Sequence, residues 1–222
     1  MKKRNLKISL ILNILIVLFT IIASLMMFLG IKPIPGGGPV LEFTTIGMFR
    51  LFTVDSNFFM GIISLIFCID EVKILKDKKR DISKKKYILK LMSTTAVTLT
   101  FLVVFGYLGF IYEKGIIGLC QNSNFFFHLL TPILSIITFT CFEKTDKFKL
   151  KDTFYGLVPV LIYAIYYISN VLIHLEGNEI SHQYDWYWFF RNGITSILIV
   201  APLILSITYL ISFCLYQLNK RK

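Results

Sequence analysis

Thr53 and His128 are the side chains of this sequence best suited to chemistry. A hydroxyl and an imidazole that meet can perform nucleophilic acyl transfer. The imidazole takes the hydroxyl proton as the oxygen attacks a carbonyl, then returns it to the leaving alcohol. The oxyanion formed on the way needs donors, for which Asn57, Asn124 or a tyrosine hydroxyl are candidates. Asp55 and Asp185 are the carboxylates available to orient the imidazole. No GxSxG elbow, HExxH pair or glycine-rich phosphate loop accompanies these residues. Gly36-Gly37-Gly38 lies between prolines and reads as a turn. The cysteines, Cys68, Cys120, Cys141 and Cys214, show no CxxC or Cys/His metal spacing. The expectation is a site with no metal and no cofactor.

What must position these residues is a set of helices, because the polar residues repeat at helical spacing. Thr53, Ser56 and Asn57 share one face, which continues through Met60, Gly61 and Ser64. Asn124, His128, Thr131, Ser135 and Thr138 form a second stripe. Tyr163, Tyr167, Asn170 and His174 form a third, with Tyr166 beside it. Each stripe runs along one of six apolar segments: 8–30, 52–72, 87–111, 125–142, 154–173 and 194–216. At about 18 to 25 residues, each is long enough to cross ~30 Å of hydrocarbon as a helix. The expected fold is therefore all-α: a polytopic membrane protein with six transmembrane helices, one domain over residues 1–222. Lipid offers polar groups no partner, so all three stripes should face the bundle interior.

Charge sets the orientation. Twenty of the 24 basic residues fall at the amino terminus, in the loops after the second and fourth segments, and in the tail. The other loops hold only Lys32, Arg50, Lys114 and Arg191. Positive residues stay inside, which predicts both termini in the cytoplasm. The net charge of +11 is then mostly topology. The Lys73–Lys90 run touches anionic headgroups, so membrane lipids are the expected partners. Nucleic acid is not, because aromatics do not interleave the lysines and no soluble domain carries them. The first segment has a basic start but is too long for a signal peptide and is read as a retained span. A multi-pass place in the cell membrane follows. The Ile-, Lys-, Asn- and Phe-rich usage suits an AT-rich bacterial genome and hence a bacterial plasma membrane.

Topology also brings the stripes into register. Thr53 and His128 each lie within about a turn of an outer helix end, with Asn170 and His174 in the same layer. Asp55 is about 200° around its helix from Thr53. The last outer loop adds His182, Asp185 and Trp186-Tyr187-Trp188. Pro132 denies the carbonyl of residue 128 its helical partner and loosens the backbone at the histidine. Serines and threonines in membrane helices also bond simply to their own backbone. A histidine inside a membrane helix, however, is costly and marks a functional candidate. A site just beneath the outer interface meets lipid esters whose tails remain in the bilayer.

Phe49-Arg50-Leu51-Phe52-Thr53-Val54-Asp55-Ser56-Asn57 resembles the start of the second helix in the androgen-induced family of six-pass membrane proteins. Phe126-Phe127-His128-Leu129-Leu130-Thr131-Pro132 resembles the start of its fourth, and Leu157-Val158-Pro159 with Tyr163 fits the fifth helix of bacterial relatives. The resemblance covers span count, order and positions over nearly the whole chain. It implies a threonine hydrolase that cleaves fatty-acid esters of hydroxy fatty acids or similar lipid esters, with Thr53 as nucleophile and His128 as base. The polar stripes reach the same pair independently. Ser56, Asn57, Asn124, Asn170, Tyr167 and Asp185 are the candidate oxyanion or substrate contacts. The competing reading is a transporter or small-ligand or lipid-binding protein using the same polar interior. Against transport stand the absence of an internal repeat, of a charge at a span centre, and of a broken helix pair.

Overall fold

The computed structural model describes residues 3–34, 43–78, 81–176, 179–181, 183–190 and 192–220. The Gly36–Gly38 turn and His182 lie outside these residues. The described chain is almost wholly helical. Its long helices are α1 (Lys3–Phe28), α2 (Phe52–Leu75), α3 (Lys84–Ile111), α4 (Phe125–Phe142), α5 (Leu150–Ile173) and α6 (Ile194–Asn219). The one sheet among the described residues is a two-residue hairpin pairing Leu175 with Ile180 beyond α5. Five helices, α1 and α3 to α6, are long and apolar enough to cross a membrane. The 24-residue α2 packs between α1 and α3.

Small residues set the closest approaches. A Cβ on Gly61 of α2 would lie 2.7 Å from Thr20 Cγ2 of α1, so only glycine lets these helices meet as they do. Near the end of α3, the backbone widens into a π turn at Val104–Leu108. A Cβ on the following Gly109 would collide with Ile116. Its absence lets the short helix Gly115–Leu119 fold back against α3, with Gly115 at φ +58° making the corner. That corner delivers the carbonyl of Leu119 to the interior.

Two large apolar clusters, and a small one of Ile16, Met60 and Val97, fill the bundle. One, including Phe67, Tyr87, Leu91, Phe139, Phe148 and Tyr216, lies towards the start of α1 and the end of α6. The other joins Met48, Val54, Phe127, Tyr167, Trp186 and Phe190 at the opposite end. Ion pairs gather at the first end: Lys84 with Asp152 at 2.6 Å, Lys86 with Asp70 at 2.7 Å, and Lys147 with Asp81. Asn219 closes α6 there, donating to the carbonyls of Phe139 at 2.6 Å and Glu143 at 3.1 Å. One basic residue is not where the loop reading puts it. Lys90 belongs to α3, wholly buried, so it is an interior charge rather than part of a headgroup-facing run.

Candidate active site

His128 sits on a π turn, Phe125–Leu130, that opens α4. Pro132 explains the turn. The N–H of Thr131 bonds the carbonyl of Phe126, five residues back. In that register the next carbonyl, that of Phe127, calls for the N–H of residue 132, which is proline and has none. Asn57 supplies the missing donor from α2: its Nδ2 lies 3.1 Å from the Phe127 oxygen. The same nitrogen donates to the Thr53 carbonyl at 2.8 Å. One buried amide thus ties the turn carrying Thr53 to the turn carrying His128.

The imidazole is held from the other side. His128 is buried, and its Nδ1 lies 2.6 Å from the Leu119 carbonyl oxygen. A carbonyl only accepts, so Nδ1 carries the hydrogen and Nε2 is left with its lone pair. Nε2 has no hydrogen-bond partner among the described residues. Thr53, second residue of α2, is half-buried, and its hydroxyl is likewise free of hydrogen bonds among the described residues. No hydrogen bond joins Thr53 to His128.

The remaining candidates take distinct positions. Both Asn57 hydrogens are committed to carbonyls, which leaves none for an oxyanion; its Oδ1 is buried without a partner. Ser56 is buried against α3, its hydroxyl 3.3 Å from Thr100 Oγ1 and donating to the Thr53 carbonyl at 3.1 Å. Asn124 is buried at the head of α4, with no side-chain hydrogen bond among the described residues. Asp185 does not approach His128. It accepts the Tyr167 hydroxyl and the N–H groups of Phe189 at 3.0 Å and Phe190 at 3.1 Å, so it folds the loop before α6 onto α5. Asn170 offers its carbonyl to His174 Nδ1 at 2.8 Å, and its own Nδ2 is buried without a partner. Neither Tyr167 nor Asn170 bonds Thr53 or His128, although Tyr167 and Phe127 share one apolar cluster.

Aromatic residues close this end of the bundle. The Tyr187 hydroxyl accepts the Phe52 N–H at 3.0 Å and so caps α2 one residue before Thr53. Tyr163 donates to the Arg50 carbonyl at 2.6 Å and accepts the Trp186 indole N–H at 3.1 Å. Burial pushes the Tyr187 phenol up to about 12, partly offset by its hydrogen bonds to Tyr163 and the α2 backbone, so it stays neutral at physiological pH. Burial also raises the pKa of the Cys120 thiol, next to Leu119, which makes it a poor nucleophile. Sequence reasoning missed Leu119, whose contribution is a carbonyl, and the capping role of Tyr187. No family model, curated protein or solved structure matches the chain.

Proposed function

We propose that this chain is a six-pass membrane hydrolase of lipid esters, of the androgen-induced kind, with Thr53 as nucleophile and His128 as general base. The observation that carries the reading is the state of His128: Nδ1 is fixed on the Leu119 carbonyl, and Nε2 keeps a lone pair inside the bundle, next to the helix start bearing a free threonine hydroxyl. His128 Nε2 takes the Thr53 proton as Oγ1 bonds the ester carbonyl carbon. The C–O bond to the leaving alcohol then breaks, and that alcohol takes the proton from Nε2. Water repeats the sequence on the acyl-threonine and releases the fatty acid. Asn57 is a positioning residue, and Asn124 is the assigned oxyanion donor.

In this reading α2 is the sixth span, and the termini lie in the cytoplasm of a bacterial plasma membrane. The gathering of ion pairs at the end where α1 begins and α6 finishes supports a common side for the termini. The test is hydrolysis of a lipid-ester panel by purified protein, with a hydroxyl-directed fluorophosphonate probe alongside. Thr53→Ala and His128→Ala should each abolish turnover and labelling, the double variant should lose little more, and Thr53→Ser should keep part of the rate. Equal hydrolysis by wild type and Thr53→Ala overturns the assignment in favour of a ligand-binding or transport role.

A further inference from the structure

The end of the bundle opposite His128 holds a second polar cluster. Ser9 and Asn13 of α1, Ser64 and Glu71 of α2, Lys90 of α3, and Glu143 just past α4 are all 0% exposed. Lys90 Nζ donates to Asn13 Oδ1 at 2.5 Å and Ser64 Oγ at 3.0 Å, lies 3.4 Å from Glu143 Oε1, and sits 4.9 Å above the Phe67 ring. Asn13 Nδ2 donates to Glu143 Oε1 at 2.8 Å and Glu71 Oε2 at 3.3 Å. The Ser9 hydroxyl stands between the carboxyls, 2.5 Å from Glu71 Oε1 and 3.3 Å from Glu143 Oε1. Glu143 Oε2 is buried with no hydrogen-bond partner among the described residues.

The charges do not balance. Fully ionised, the cluster carries two negative charges and one positive, wholly removed from water. An unpaired charge in such a place is among the costliest features a fold can hold, and a titratable group relieves it by neutralising. Among the described residues, Lys90 is the one cation paired with the two carboxyls. On α2, Asp70 is paired with Lys86 of α3, and Lys73 is exposed. On α1, Lys3, Arg4 and Lys7 are exposed. The remaining titratable neighbour is the Cys68 thiol, which adds no positive charge; Cys141 beyond it is exposed. From α6 the cluster meets only Asn219, which bonds the Glu143 backbone. Ser9 offers a route between the two carboxyls, Glu71 Oε1 and Glu143 Oε1: a hydroxyl that can accept from one acid and donate to the other.

We propose that Glu71, Glu143 and Lys90 form a proton-binding site that holds one proton at neutral pH, shared between the two carboxyls through Ser9. The proton belongs to the pair rather than to either residue. Its presence makes the cluster neutral and lets α1 dock against α2 and the end of α4. The site is independent of the ester chemistry at His128.

Infrared spectroscopy of the purified protein tests this, read in the carbonyl-stretch region of protonated carboxylic acids, with D2O exchange to identify the band. Variant-minus-wild-type spectra isolate this cluster from other buried acids. Glu71→Gln and Glu143→Gln should each remove one protonated-acid band, because the remaining carboxylate and Lys90 already balance. Lys90→Met should add one, because both carboxyls must then be neutral. Either glutamine variant decides the matter if the other fails to fold. No loss of the band in a folded glutamine variant overturns the proposal. So does a wild type whose thermal stability rises with sodium while no protonated-acid band is present, since a metal cation would then supply the balance.

Discussion

Asn57 and Pro132 should be energetically coupled although no hydrogen bond joins them, because each concerns the same carbonyl. Asn57→Ala removes the donor to Phe127 and to Thr53. The Thr53 carbonyl keeps the Ser56 hydroxyl at 3.1 Å, so it is not stranded. The Phe127 carbonyl is, because Pro132 gives it no backbone partner. Leaving one buried carbonyl unpaired costs about 1–3 kcal/mol. The small cavity left by the amide adds about 1 kcal/mol. Asn57→Ala should therefore destabilise by about 2–4 kcal/mol. In a Pro132→Ala background, residue 132 has an N–H to offer, and only the cavity part should remain. The coupling in the double-mutant cycle should then be about 1–3 kcal/mol, above the ~0.5 kcal/mol within which independent sites add. Equilibrium unfolding of the four proteins in one detergent measures it. If Asn57→Ala costs the same in both backgrounds, the account of the π turn is wrong, and the link it draws between the Thr53 and His128 turns goes with it.

Other consequences can be checked separately. The Tyr187 phenol is raised by folding from 10.0 to about 12, so its contribution is complete below pH 10 and is lost as pH climbs towards 12. That loss amounts to about 2–3 kcal/mol. Tyr187→Phe should flatten the stability profile in that window, and an unchanged slope would count against the buried cap. Asp185→Ala strands two N–H groups and the Tyr167 hydroxyl, which should cost about 2–4 kcal/mol and expose the outer loop to protease; a loop that resists protease as before would contradict the anchoring role. Reporter fusions near Lys147 should read cytoplasmic and those near Gly177 external, and a fusion near Lys147 reading external would invert the proposed topology.

The helices were legible because uniform apolarity and length are local properties: α4 begins and ends where hydropathy puts it, and α1, α2 and α6 run only a few residues beyond. The distortion at His128 was legible too, since Pro132 announces it. What holds the histidine was not. Leu119 contributes a backbone oxygen, and its delivery depends on Gly109 and Gly115 turning the chain, an arrangement no side-chain pattern encodes. Lys90 was misread because it ends a run of lysines; one turn of helix separates Lys86, which reaches Asp70, from Lys90, which enters the core. Asp185 was legible as a candidate carboxylate for His128 but not as a loop anchor, because its partners are mainly backbone N–H groups of its own segment. The pairing of Asn57 with Phe127 required knowing both the π register and the neighbour across the helix gap.

The ion cluster also bears on how such a chain is built. During synthesis the amino-terminal helices form first. In the proposed six-span arrangement, Glu71 and Lys90 enter the bilayer on consecutive helices, so a nascent α2–α3 hairpin carries opposite charges close together. Either charge alone within the hydrocarbon would weigh against insertion. Glu143 emerges only at the close of α4, beside Lys144 and within reach of the headgroups, and Asn219 settles over its backbone when the last helix arrives. A ribosome stalled before α4 therefore presents a hairpin whose lysine lacks its final counterion. That unfinished state is chemically distinct from the completed bundle, and membrane quality control has a specific feature to recognise.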